Sequence, residues 1–250
     1  MIIVTDLSHK IGTAPILQDI NMTLEKGGVT ALIGPNGAGK STLLSLIARL
    51  VPIQTGRITV DDLTIGACPT DVLARTLAIL PQVIDTAPLL SVRELVGFGR
   101  YPYHKGRPTA EDHAKVDYAL ETFQLTPLAD RRLETLSGGQ RQRAQVAMTF
   151  AQDTDYILLD EPLNNLDIAA SRSLMAILRD LAATHSRTIV IVLHDINYAA
   201  AYADQIVAMK SGQIVATGSP EAIVTDRLLQ DVFQTDPKVH CLNGKMMVQV

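Results

Sequence analysis

Cysteine is nearly missing from this sequence: Cys68 and Cys241 are the only two in 250 residues. They have no C-x-x-C spacing and no histidine cluster beside them, which excludes the common zinc-site patterns. Two distant thiols fit a cytosolic chain that keeps both reduced, with a disulfide between them as the alternative. Long apolar runs are missing too. The longest, Tyr198–Ala203, has six residues, where a membrane-spanning helix needs about 20. The opening Met1-Ile2-Ile3-Val4-Thr5-Asp6 has neither the basic start nor the apolar centre of a secretory signal, so a soluble cytosolic chain is expected. A basic excess is also missing, with 22 Lys and Arg against 26 Asp and Glu and a formal net charge of −4. That speaks against nucleic acid as a partner. No internal repeat or low-complexity tract appears.

What is present is a foldable composition, 47% hydrophobic and 19% charged, long enough to bury one sizeable core. Strands are expected at Ile2–Leu7, Ile20–Leu24, Val29–Ile33 and Arg57–Val60, with a turn around Lys10–Pro15 and a helix over Ser41–Leu50. From Ser91 to about Phe150 helical periodicity dominates, over Ser91–Phe98, Ala110–Phe123 and Gln140–Ala151. A β/α rhythm then returns with a buried strand at Tyr156–Leu159, a helix at Ala169–Thr184, a strand at Thr188–Leu193 and a hairpin of Ile206–Lys210 with Gln213–Ala216. Beyond Asp226 the pattern is mixed. The expectation is an α/β fold with a largely parallel sheet and a helical insertion.

Gly34-Pro35-Asn36-Gly37-Ala38-Gly39-Lys40-Ser41-Thr42 fits G-x-x-x-x-G-K-[ST] between a predicted strand and a predicted helix, the context that gives the pattern meaning. Glycines let the backbone turn its amides onto phosphate oxygens, and the helix start adds its positive dipole end. Lys40 then brings a full charge to the β- and γ-phosphates, and Ser41 a hydroxyl oxygen to Mg²⁺. Tyr156-Ile157-Leu158-Leu159 delivers Asp160 and Glu161 at a strand's C-terminal end, where ligands of open α/β sheets bind. Asp160 is expected to hold the metal and Glu161 to polarise an attacking water.

Leu136-Ser137-Gly138-Gly139-Gln140, followed by Arg141-Gln142-Arg143, resembles the signature motif of ATP-binding cassette (ABC) ATPases. The resemblance covers essentially the whole chain, with the phosphate loop, Gln82 of the Q-loop, the signature, Walker B at 156–161, the D-loop at 164–167 and the switch histidine His194 in family order. It implies a P-loop cassette: a mostly parallel RecA-like core sheet and an antiparallel β-subdomain, from 1–82 and 151–250, with a helical subdomain inserted at about 83–150. It also implies ATP and Mg²⁺, Gln82 as a metal and water contact, and His194 beside the γ-phosphate. Ser137, Gly138, Gly139 and Gln140 are implied to close on the ATP of a second, head-to-tail copy, with Asp167 at that interface. One departure is Ile11, standing where many cassettes stack an aromatic ring on adenine; His9 is a weaker candidate for that contact.

The absence of a span, of a second cassette and of a coiled-coil insertion favours an importer's ATPase subunit over an exporter or a soluble ABC ATPase. Ser91–Tyr103 resembles the iron–siderophore, haem and cobalamin importer group. Ala151–Tyr156 and Glu161–Asp167 are similar to members serving ferric siderophores of the catecholate type, such as petrobactin or enterobactin. The resemblance implies integral membrane permeases, a periplasmic or lipid-anchored binding protein, and a peripheral place on the cytoplasmic side of the bacterial inner (cell) membrane. Haem and cobalamin import are the alternatives.

Overall fold

The computed structural model describes residues 1–82, 89–242 and 245–249. The chain opens with β1 (Ile2–Ile11), β2 (Ala14–Leu24), β3 (Gly28–Ile33), α1 (Lys40–Ile47), β4 (Thr55–Val60) and β5 (Leu63–Thr64). There follow α2 (Thr70–Thr76), β6 (Leu77–Leu80), α3 (Val92–Phe98), α4 (Tyr101–His104), α5 (Ala110–Thr122) and α6 (Gly138–Ala151). Next come β7 (Tyr156–Leu159), α7 (Ile168–His185), β8 (Thr188–Val192), α8 (Ile196–Tyr202), β9 (Gln205–Lys210) and β10 (Gln213–Gly218). Last are α9 (Pro220–Ile223), α10 (Asp226–Phe233), β11 (Lys238–Leu242) and β12 (Lys245–Gln249).

The main sheet has the order β10-β9-β3-β8-β7-β6. Its strands run parallel from β9 to β6, and only β10 returns antiparallel. A second, antiparallel sheet has the order β2-β1-β4-β5. The expected α/β cassette with a mostly parallel core sheet and an antiparallel β-layer is therefore present.

Strict alternation explains the layering. In β8, Val190 and Val192 join the apolar cluster shared with the antiparallel sheet and α1, while Ile189 and Ile191 join the cluster behind the sheet. In β7, Tyr156 and Leu158 go to the first cluster, Ile157 and Leu159 to the second. Both faces are thus covered, which is why these strands read as unbroken apolar runs. The second cluster continues into α3, α5 and α6 through Leu95, Leu120, Phe123 and Phe150.

The helical stretch starts each main helix with a capping box: Ser91 with Glu94, Thr109 with Asp112, and Ser137 with Gln140. Each box satisfies two amides that a first helical turn leaves without partners. Residues 83–88, where the helical insertion is expected to begin, lie outside the described residues. Several boundaries differ from expectation. β1 extends to Ile11, so the first turn is confined to Gly12 and Thr13. α1 stops at Ile47 because Arg49 takes a left-handed conformation (φ 57°). α2, β6 and α9 have no counterpart in the sequence reading, and the tail from Asp226 resolves into α10 and a hairpin.

Arg100 and Asp112 pair at 3.1 Å with side chains only 3% and 6% exposed. Burial works to raise the Asp112 carboxyl, but the backbone and hydroxyl of Thr109 and the Arg100 guanidinium hold it below its ordinary value. A depressed folded-state value contributes stability above the ordinary carboxylate range and loses it as pH falls through the folded value. Asp112→Ala should therefore cost about 3 kcal/mol of stability at pH 7, read as a lower urea midpoint. The gap to wild type should narrow below about pH 4; equal midpoints at pH 7 would show that the pair carries no stability.

Candidate functional site

Four adjacent strands bring the site together. In register, Leu32 of β3 lies level with Val192 of β8, Ile191 with Leu159 of β7, and Leu159 with Leu80 of β6. Each strand ends there, so the residues just beyond emerge along one edge: the loop to Lys40 after β3, His194 after β8, Asp160 and Glu161 after β7, Gln82 after β6. Lys40, Gln82, Glu161 and His194 line a cleft of about 390 Å³ with Ile11, Ile16, Asn36, Gly37, Ala38, Gly39, Ser41 and Thr42; Asp160, Gly34 and Pro35 lie behind its wall, Asp160 through Ser41.

Gly34 shows why the loop needs glycine. Its φ is 146°, and a Cβ there would lie 2.1 Å from the Met209 carbonyl oxygen. Lys40 is only 5% exposed and donates to the carbonyls of Gly34 (2.7 Å) and Pro35 (3.0 Å). Burial pushes its ammonium below the ordinary value, against the pull of the Glu161 and Asp160 carboxylates. Ser41 Oγ donates to Asp160 Oδ1 at 2.9 Å. Burial pushes the Asp160 carboxyl up; the Ser41 hydroxyl opposes this and the Glu161 charge reinforces it.

Glu161 is the most heavily tied group. Gln82 Nε2 and Asn164 Nδ2 both donate to its Oε2 at 2.7 Å, and His194 Nε2 lies 2.7 Å from its Oε1. Burial works to raise its carboxyl, but the Asn164 and His194 hydrogen bonds, the imidazole charge and Gln82 outweigh it and hold it low. Its backbone is left-handed (φ 53°), an arrangement a non-glycine residue keeps only when its surroundings enforce it.

Ser41, Asp160 and the amide oxygen of Gln82 are hard oxygen donors of the kind Mg²⁺ takes. A buried carboxyl pushed up by desolvation also suits a neighbouring cation. Among the described residues no three His, Cys, Asp or Glu side chains gather as a metal cage. An ion here would rest on a single carboxylate and substrate oxygens, as Mg²⁺ does.

Not every expected residue reaches the cleft. Ser137, Gly138, Gly139 and Gln140 start α6 away from it, where a Cβ on Gly138 would lie 3.7 Å from Asn165 and one on Gly139 3.1 Å from Leu166. Asp167 caps α7 through the Ala170 amide. His9 is 5% exposed and absent from the cleft wall, which removes it as an adenine contact: its place in β1 points it into the core. Ile11, 62% exposed, shares the wall with Ile16, which sequence reading missed. Asn164 was legible as part of the D-loop, but its hold on Glu161 depends on a left-handed turn with no sequence marker.

A family profile described as ABC transporter matches residues 17–164. The chain belongs to the ABC transporter family. Its membership makes it an ATP-binding, ATP-hydrolysing cassette. The cassette is 46% identical to the petrobactin import ATP-binding protein YclP of Bacillus subtilis, over 98% of this chain and 97% of that one. It is 50% identical to the petrobactin import ATP-binding protein FatE of Bacillus anthracis, over 86% of each. Among solved structures it superposes with a TM-score of 0.78 on the cassette MJ0796, a dimer bound to ADP and Pi, at 26% identity over 88% of this chain and 99% of that one. Among the described residues, no helix is long and apolar enough to cross a membrane.

Gly34→Ala should abolish nucleotide binding, because the added methyl displaces the loop from Met209, and should cost about 1–3 kcal/mol of stability. Titration with a fluorescent ATP analogue, alongside a thermal melt, checks both; unaltered binding would mean the loop does not need that approach.

Proposed function

We propose that this cassette energises import of a ferric siderophore through a separate membrane permease. The observation that carries the transport reading is the near full-length likeness to a petrobactin import ATP-binding protein. The chelate does not meet this subunit; its task is to bind ATP, close and hydrolyse.

The site residues divide that task. Gly34, Asn36, Gly37, Ala38, Gly39 and Thr42 wrap the phosphates with backbone amides at the start of α1, and Pro35, which has no N–H, contributes only its fixed backbone bend. Lys40 exchanges its two carbonyl partners for β- and γ-phosphate oxygens, and Ile11 with Ile16 covers the adenine face. Ser41, Asp160 and Gln82 would hold Mg²⁺, which supplies positive charge to the phosphate oxygens when bound. Glu161 is the base: its low value keeps it ionised, and Oε1, which among the described residues meets only His194, has a second lone pair for the attacking water. His194 orients that water and steadies the γ-phosphate.

A second copy supplies what this cleft lacks. Ser137, Gly138, Gly139 and Gln140 head α6 outside their own cleft, and the first-turn amides there suit a phosphate held by a head-to-tail partner. Dimer formation by MJ0796 supports this arrangement. We take residues 1–82 and 151–250 as the core and about 83–150 as the helical part that moves on closure. A cavity of about 450 Å³ on that part, with Phe98 and Tyr101 54% and 57% exposed at its rim, suits an apolar helix of the permease. The cassette then works peripherally on the cytoplasmic side of the bacterial cell membrane, and a periplasmic or lipid-anchored binding protein acts on the far side.

Lys40→Ala should lower ATP turnover by at least about 100-fold; wild-type turnover would refute the phosphate role. Glu161→Gln should still bind ATP yet stall hydrolysis and accumulate as a dimer, read by size exclusion with ATP. A strictly monomeric profile counts against the sandwich. Cells without the cassette should lose uptake of iron-55 ferric petrobactin and keep uptake of labelled haem and cobalamin, and the reverse pattern would overturn the siderophore assignment.

A further inference from the structure

The hairpin β11–β12 is tied to the body of the protein on both edges at a single rung. Val239 and Val248 lie opposite each other. The Val239 amide donates to Asp226 Oδ1 of α10 at 2.7 Å. On the other edge, the Val248 amide donates to Asn197 Oδ1 at 2.8 Å, and Asn197 Nδ2 donates back to the Val248 carbonyl at 3.1 Å. Asn197 therefore reads the edge of β12 as a neighbouring strand would. A two-stranded ribbon is marginal alone, so these ties and the buried Val248 side chain, 5% exposed, decide where it sits.

Asn197 lies in α8, which starts immediately after His194 and Asp195. Asp195 caps this helix by accepting from the Asn197 amide at 2.8 Å. α8 has only seven residues, and β12 is the element it meets most extensively. A helix this short draws its stability and its placement from tertiary contacts. A cavity of about 230 Å³ runs beside this junction from His194 and Asn197 to Phe233 and Pro237, so the start of α8 is not packed in place from that side.

We propose that the C-terminal hairpin sets the position of His194, with Asn197 as the positioning residue that transmits it. The proposal rests on the reading of His194 given above. The hairpin grips α8 through Asn197, α8 aims the segment Leu193–Asp195, and His194 is held on Glu161. Loosening that grip leaves the phosphate loop and Lys40 untouched, so ATP affinity is retained while the chemical step slows.

The test uses the full chain carrying Asn197→Ala, Asn197→Asp, Val248→Pro, or Asn197→Ala with Val248→Pro, and compares steady-state ATPase rates. Asn197→Ala and Val248→Pro should each lower kcat about tenfold, the scale of a small misplacement of a catalytic group, with KM for ATP within twofold of wild type. Asn197→Asp keeps the acceptor for the Val248 amide and should fall between. The double variant should be no slower than the slower single one, since both break the same tie. Unchanged kcat, a parallel rise in KM, or losses that multiply in the double variant would overturn the proposal. If Asn197→Ala fails to fold, the split between kcat and KM is read from Asn197→Asp and Val248→Pro. His194→Ala at the wild-type rate would remove the role of His194 and the proposal with it. Slow His194→Ala beside unaffected Asn197 variants would overturn the hairpin's part alone.

Discussion

Burial on both faces is the constraint from which the rest follows. β3, β8, β7 and β6 lie side by side and parallel, with apolar side chains alternating into one cluster or the other. A charge within these strands would meet no water on either face, so charged and polar groups appear where the strands stop. Parallel direction makes all four stop on the same side. Lys40, His194, Glu161 and Gln82 need no proximity in sequence to meet; they need only follow strands that are neighbours in the sheet.

The same constraint separates what was legible in the sequence from what was not. The phosphate loop and the Asp160–Glu161 step were legible because each follows an apolar run and breaks it abruptly. α2 and β6 were not: Leu77-Ala78-Ile79-Leu80 is four residues without a turn signal before it, and it becomes a strand because Tyr156–Leu159 offers an open edge. The end of α1 was misplaced because Leu50 continues the apolar spacing, whereas a left-handed Arg49 carries it into solvent, 55% exposed. The hairpin had no pattern to read, since Asp226 and Asn197, far apart in sequence, determine its place. Among site residues, Ile16 was missed because it enters from a neighbouring strand, and the contact of the D-loop residue Asn164 with Glu161 was not legible because it depends on a left-handed turn.

Electrostatics within the cleft are unevenly balanced in a way that suits a polyanion. Lys40 is buried and leans on two carbonyls of its own loop, and hydrogen bonds from a charged donor are worth about 1.5–3 kcal/mol each. Phosphate oxygens, carrying full charge and arriving at the same place, are stronger acceptors than those carbonyls. Exchange of partners therefore favours the ligand without any demand that Lys40 travel. The Asp160 carboxyl, pushed up by burial, gains from the same event when a cation accompanies the phosphates.

Glu161 links three segments, each leading elsewhere. Gln82 stands at the end of β6, before the helical stretch. Asn164 opens the loop against which Gly138 and Gly139 of the signature pack. His194 precedes α8 and, through Asn197, the hairpin. Two donors occupy Oε2 and one Oε1, so of the carboxylate's roughly four acceptor sites one, on Oε1 beside His194, is left for an attacking water. The three segments have different neighbours: Gln82 precedes the helical stretch, Asn164 adjoins the start of α6, and His194 leads into α8. Because each donor belongs to a different segment, the orientation of that open site depends on how all three segments sit at the end of β7. On the proposed reading, a shift of any one of these segments re-aims the base, so the carboxylate that meets the water is set by contacts outside the phosphate loop.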